Sequence, residues 1–194
     1  MAMQTEQASA RRFTVAEYHR MGEAGVFGPD ERVELVRGLV IPVSPKSLAH
    51  SLAVQQAFLV FRDVLHQRAG VYIETSLPLR GLDSDPQPDV LICSNPALAT
   101  LGSGATSPLL VLEVSASSLA YDLSSKAGLY AEAGIPEYWV VNLLERVVMV
   151  MLEPSNGDYA SRSIYEAGTR IVPSHWPELV VEVDALLPDV PEPS

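Results

Sequence analysis

The chain has 194 residues, 47% of them hydrophobic, and a formal net charge of −11. That length can bury a sizeable core as one compact domain, while the acidic balance argues against broad electrostatic attraction to nucleic acid. No apolar run reaches the roughly 18 residues of a membrane span, and the opening MAMQTEQASARR lacks the apolar segment of a secretory signal.

The charge is uneven. Residues 1–80 hold nine Lys/Arg and eight Asp/Glu, whereas residues 81–194 hold four and sixteen. Any basic surface must therefore draw on the arginines of the first part, an excess too small for a binding footprint. Cys93 is the single cysteine, so there is no disulfide framework and a reducing cytoplasm fits. Within its apolar run it reads as a small buried hydrophobe.

Residues 1–12 read as a flexible tail. Thr14-Val15-Ala16-Glu17 has the pattern of a capping box and opens a short helix through about Met21, which Gly22, Gly25 and Gly28 break. Arg32 to Ile41 reads as a strand pair turning near Gly38. Alternation places Glu34 away from Val33 and Leu35, as an edge charge. Ser47 or Ser51 caps a helix running to about Arg68, on which Ala53, Ala57, Val60, Val64 and Leu65 recur in a helical period. His50 lies in its first turn. Val71 to Leu77 is a strand, Gly81 to Pro88 a polar loop, and Val90 to Cys93 a second strand. A loop rich in Ser, Gly, Ala and Pro leads to the strand Leu109 to Ser115. A helix carrying Asp122, Lys126, Leu129 and Tyr130 follows and is closed by Gly134. Glu137 to Asn142 and Arg146 to Leu152 form a hairpin. Pro154 to Gly157 turns into Tyr159 to Tyr165, and Leu179 to Val183 is a last strand-like stretch. No repeat or low-complexity segment interrupts this order.

Two of these strands each carry one acid, Asp89 at the start of the first and Glu113 near the end of the second. A carboxylate in an apolar run loses hydration unless a cation or hydrogen bonds compensate. Two such acids, with Lys126 one element later, suggest an oxygen-ligated divalent metal site, Mg²⁺ or Mn²⁺, with an ammonium beside it. The competing readings are a turn cap at Asp89, an arginine partner for Glu113, and a Lys126 that only pairs with Asp122 four residues earlier. The run Val147 to Leu152 does not alternate with polar residues, so both faces of that strand should be covered. A homodimer would cover it, and so would residues 179–187 of the same chain.

The order helix, strand, strand, strand, helix, strand over residues 47–142 resembles the core of the PD-(D/E)XK nuclease superfamily. More closely, VELVRG (33–38), His50, PDV (88–90), EVSASS (113–118), Asp122, Lys126, Tyr130 and GIPEYWVVN (134–142) resemble the Uma2 family of restriction-endonuclease-like proteins. The resemblance covers nearly the whole chain. It implies an α/β (α+β) fold with a central mixed sheet flanked by helices and extra N- and C-terminal strands, as one domain over 13–187 with tails at 1–12 and 188–194. It further implies a Mg²⁺-dependent endonuclease acting on DNA. Asp89, Glu113 and the Val114 carbonyl would bind the metal, Lys126 would act on water or on developing charge, and Glu34 and His50 would be auxiliary groups bordering the same cleft.

The chain departs from the family pattern at several points. The usual lysine position, two residues after the second acid, is Ser115, so the lysine role passes to Lys126. Leu119 stands where an arginine is common, and Asn142 where an aspartate is. A non-catalytic or regulatory member of the fold, binding a protein partner or small ligand, is the alternative function. Hydrolysis of another phosphate ester is a third.

Overall fold

A computed structural model describes residues 10–65, 68–94 and 108–189. Most of the predicted N-terminal tail, the loop between Ser94 and Pro108, residues 66–67 before Arg68, and the C-terminal tail from residue 190 lie outside the described residues. The backbone divides into two compact units, Met1–Ser44 with Pro78–Pro86, and Pro45–Leu77 with Gln87–Ser194.

The first unit begins with α1 (Val15–Glu23). Thr14 caps it reciprocally: the Glu17 N–H donates to Thr14 Oγ1 at 3.2 Å, and the Thr14 N–H donates to Glu17 Oε2 at 2.9 Å. β1 (Val33–Val36) and β2 (Leu39–Pro42) pair antiparallel. Their two-residue turn, Arg37-Gly38, takes φ of 49° and 77°, the left-handed pair that a tight hairpin needs. Gly38 is required twice over, because a Cβ there would lie 2.7 Å from the Arg12 Cβ.

Glu34 is not the exposed edge charge that alternation suggests. All four residues of β1 are buried, Glu34 at 4% exposure. The 78–86 arm, most of which falls in the stretch Gly81 to Pro88 read from sequence as a polar loop, pairs along the edge of β1. It contains a 3₁₀ turn at Arg80–Leu82 and lies along β1: the Asp85 N–H donates to the Leu35 carbonyl at 2.7 Å, and the Arg37 N–H to Ser84 Oγ at 2.8 Å. Asp85 is itself buried and sits 2.5 Å from His19 Nε2.

The second unit is built on a six-stranded mixed sheet in the order β3-β4-β5-β6-β7-β8. The strands are β3 (Gly70–Ile73), β4 (Val90–Cys93), β5 (Pro108–Ser115), β6 (Glu137–Asn142), β7 (Val147–Ser155) and β8 (Asp158–Glu166). Only the β5–β6 pair is parallel, and a parallel pair requires a crossover. A helical segment supplies it: α3 (Leu119–Tyr121), a π-helical turn (Asp122–Lys126) and α4 (Ala127–Glu132).

One face of this sheet is covered by α2 (Leu48–Leu65), whose Ala53, Val54, Ala57, Phe61 and Leu65 are buried. Val54 and Phe61 belong to this face although the sequence period had singled out Val60 and Val64, which are only partly buried. The helix packs in one core with Val90, Ile92, Leu110, Leu112 and Val114 of β4 and β5 and with Trp139 and Val141 of β6. Phe61 meets Trp139 edge-on at 5.5 Å between ring centres.

β7 explains its unbroken apolar run by position. It lies inside the sheet between β6 and β8, with Val148 and Val150 in the same core as Val181, Val183, Leu186 and Leu187. The C-terminal segment reaches that core through β9 (Arg170–Ile171), β10 (Val181–Glu182) and a 3₁₀ turn at Val183–Leu186. α4 packs against β7 and β8 as well. The chain thus covers this strand itself, and the run does not require a second subunit. β7 and β8 join at Asn156-Gly157, again with both φ positive.

Candidate active site

Cross-strand register brings the two acids together. Val90 pairs with Leu112 and Leu91 with Val111; one step further along the same antiparallel ladder, Asp89 stands opposite Glu113. Residues directly opposite in such a ladder lie with Cβ atoms about 5 Å apart. The Asp89 N–H points to Glu113 Oε2 at 3.4 Å, and the Val114 N–H donates to Asp89 Oδ2 at 2.8 Å. Both acids are buried, Asp89 at 4% and Glu113 at 3% exposure.

Lys126 arrives from the crossover. Its Nζ lies 2.8 Å from Glu113 Oε1, and the Tyr130 hydroxyl donates to the same oxygen at 2.7 Å. Lys126 stands at the end of the π-helical turn. In a regular helix Asp122 and Lys126 would share a face and pair. Here the backbone makes a π-helical turn, with the Ala127 N–H bonding the Asp122 carbonyl five residues back. Asp122 accepts from Ser118 Oγ at 2.6 Å instead. Burial raises its carboxyl above the usual range and nearby Asp89 adds to this, although Ser118, Lys126 and Ser115 pull the other way. The vacant lysine position has a structural counterpart: Ser115 is fully buried, with its Oγ 3.4 Å from Ser118 Oγ.

Asp89 is met by two further side chains, His50 and Lys46. Ser47 caps α2, accepting the His50 N–H at 3.2 Å, so His50 is held in the first turn and its Nε2 lies 3.0 Å from Asp89 Oδ2. Lys46, just before the helix, places Nζ 2.6 Å from Asp89 Oδ1 and 2.9 Å from Glu74 Oε1. Burial by itself would raise the Asp89 carboxyl. The His50 hydrogen bond and charge, followed by Lys46, outweigh it and hold the carboxyl well below the usual range.

The second unit therefore brings together Asp89, Glu113, Val114, Lys126 and His50, all singled out from sequence. Glu34 belongs to the first unit, buried in β1. Sequence reasoning missed Lys46 and Glu74. The signal for Lys46 was its rarity, as one of two lysines; the signal for Glu74 appears only in register, since the β3–β4 ladder extended by one step sets it opposite Asp89. Asn142 has a local role. Its Nδ2 donates to Glu145 Oε2 at 3.1 Å, which a carboxylate could not do, and its Oδ1 accepts from the Leu144 N–H at 3.1 Å.

The donor set fits a hard divalent cation in kind. Mg²⁺ is commonly held by one or two carboxylates and keeps several waters, and Asp89 with Glu113 supply two. The described residues contain no group of three or more His, Cys, Asp or Glu arranged to hold a metal.

A mixed sheet with a β-helix-β crossover and a carboxylate pair at the ends of adjacent strands, met by a lysine, defines a nuclease-like α+β protein. The model of the Uma2 family, described as "Putative restriction endonuclease", matches residues 15–184, and the chain belongs to that family. A crystal structure described as a "putative nuclease belonging to DUF820" from Anabaena variabilis ATCC 29413 shares the fold, with a TM-score of 0.67 at 16% identity over 90% of this chain and 97% of that one. Comparison with curated proteins returned no match.

Proposed function

We propose that the protein is a divalent-metal-dependent nuclease hydrolysing DNA phosphodiester bonds. The observation that carries this reading is the buried pair Asp89 and Glu113 with the Lys126 ammonium 2.8 Å from Glu113. Asp89 and Glu113, with the Val114 carbonyl, would hold Mg²⁺ or Mn²⁺. Such an ion, when bound, polarises a phosphate oxygen and makes a nearby water more acidic. Lys126 has a fixed position from which to neutralise charge that develops on the phosphate. Tyr130 orients the Glu113 carboxylate from the side of α4. His50 keeps Asp89 ionised and directed along the strand end.

Every residue of this cluster comes from one chain, so the proposal needs no second subunit. Among the described residues no helix is long and apolar enough to cross a membrane, and the buried lone Cys93 fits a reducing, cytoplasmic setting. The net charge of −11 sets the expected strength of DNA binding: few phosphate contacts, low affinity and loss of an already weak complex as salt rises.

The test is cleavage of supercoiled and single-stranded DNA with Mg²⁺, with Mn²⁺ and with chelator, alongside calorimetric metal titration. The expected result is metal-dependent cleavage, abolished in Lys126→Ala and in Asp89→Ala, with metal binding lost in the Asp89→Ala, Glu113→Ala double variant. One observation favours a second reading as a binding module: Lys46 and Lys126 already pair with the two acids within the fold. Normal folding without cleavage of any DNA or RNA would select it.

A further inference from the structure

Lys46 is the cationic group that neither the sequence motifs nor the proposed chemistry uses. It is shared between two unlike acids. Asp89 is buried, with 6% of its side chain exposed, whereas the Glu74 side chain is 41% exposed. Lys46 Nζ sits 2.6 Å from the first and 2.9 Å from the second. The Glu74 backbone is held just past the end of β3: its N–H meets the Asp89 carbonyl at 3.3 Å, and it takes a φ of 46°. The ammonium therefore bridges from the floor of the cluster to its rim.

A buried carboxylate needs a counter-charge at all times. Before a divalent ion is present, Lys46 supplies it for Asp89. Were a doubly charged ion held by the Asp89 carboxylate, the Lys46 ammonium, now 2.6 Å from Oδ1, would be its like-charge neighbour. Lys46 has a second carboxylate already within hydrogen-bond distance, so its ammonium can leave Asp89 without entering solvent unpaired.

We infer that Lys46 is a positioning residue that sets the metal affinity of the cluster: it occupies Asp89 in the metal-free protein and transfers to Glu74 when a divalent cation binds. The inference rests on the metal-site reading above and adds to it a resident competitor and a rim acid that receives it. Two consequences are opposite in sign. Removing the Lys46 charge removes the competitor and tightens metal binding. Removing the Glu74 charge removes the acceptor, leaves Lys46 on Asp89 and weakens metal binding, but only while Lys46 is present.

The experiment is calorimetric titration of the full chain, stripped with chelator, with Mn²⁺ and with Mg²⁺. Lys46→Met should bind at least about tenfold more tightly, the equivalent of about 1.4 kcal/mol. Glu74→Gln should bind several-fold more weakly, and in the Lys46→Met background that weakening should vanish, which a double-mutant cycle reads directly. Lys46→Gln keeps a hydrogen-bond donor without the charge and should follow Lys46→Met; thermal unfolding of each variant verifies that it is folded, and Lys46→Gln replaces Lys46→Met if the latter is not. Unchanged or weaker binding in the charge-free variants overturns the inference while leaving the metal site standing. A Glu74→Gln effect that persists without Lys46 also overturns it, because Glu74 would then act on the ion itself. Absence of binding in wild type and in every Lys46 variant removes the metal-site reading, and this inference with it.

Discussion

The Lys126–Glu113 pair makes a quantitative claim about stability. Both residues are buried, at 8% and 3% exposure, and their charged atoms lie 2.8 Å apart. At an effective dielectric of about 20 the gross attraction at that distance is about 6 kcal/mol. Desolvation of both ions offsets much of it, so the pair itself is weak evidence of net stabilisation. Breaking it is different. Lys126→Met keeps most of the side-chain volume but leaves Glu113 buried with the Tyr130 hydroxyl and without the ammonium. Stranding a buried charge this way costs about 3 kcal/mol or more, a large part of the 5–15 kcal/mol typical of a folded domain. The assay is urea unfolding followed by tryptophan fluorescence, in chelator at pH 7, since Trp139 lies in the core of the same sheet. The double variant Lys126→Met, Glu113→Gln should regain much of the loss, because the stranded charge is gone. A Lys126→Met cost below about 0.5 kcal/mol, the scale of a surface ion pair, would refute the claim that Lys126 is locked onto Glu113.

Three further outcomes are expected. The Asp89 carboxyl is held below its usual range, so its contribution to stability is present above the unfolded value of 3.8 and is lost as pH falls through the lower folded value. Urea unfolding should therefore show Asp89→Asn less stable than wild type at pH 7 and at pH 5, with the gap closing only well below pH 4. Asp122 has the opposite sign: burial raises its carboxyl, so its ionised form opposes folding at neutral pH. Asp122→Asn should raise the midpoint of thermal unfolding at pH 7, and the gain should shrink as pH falls and the wild-type carboxyl protonates. The buried Cys93 thiol is pushed up to about 12 by burial, so a thiol reagent at pH 8 should leave it unmodified in the native protein and label it once urea unfolds the chain.

The elements most legible in the sequence were those whose signal is local. Thr14 and Glu17 declare the start of α1 because a capping box is a four-residue device. Val90 to Cys93 and Leu109 to Ser115 read as buried strands because their apolar residues are continuous. Asp89, Glu113 and Lys126 stood out because each is a charge set in or beside such a run. Glu34 shows where that reasoning stops. Period-2 alternation assigns a face, but whether that face meets water depends on what packs against it, and even the arm that pairs along the edge of β1, carrying Ser84 and Asp85, is some fifty residues away in sequence. The π-helical turn shows a second limit. Asp122 and Lys126 have the spacing of a helical ion pair, but the segment Asp122–Lys126 is a π-helical turn and Lys126 bonds Glu113. Lys46 and Glu74 show the third. Neither has a motif or a period; they matter because two ladders align Glu74, Asp89 and Glu113 across three strands, while the cap at Ser47 begins α2 one residue after Lys46. A site assembled by register places residues by pairing between strands, and pairing is the part of a fold that a single sequence specifies least directly. The residues that carry charge into such a site can be read one at a time, but which of them share an oxygen is decided only when the strands align.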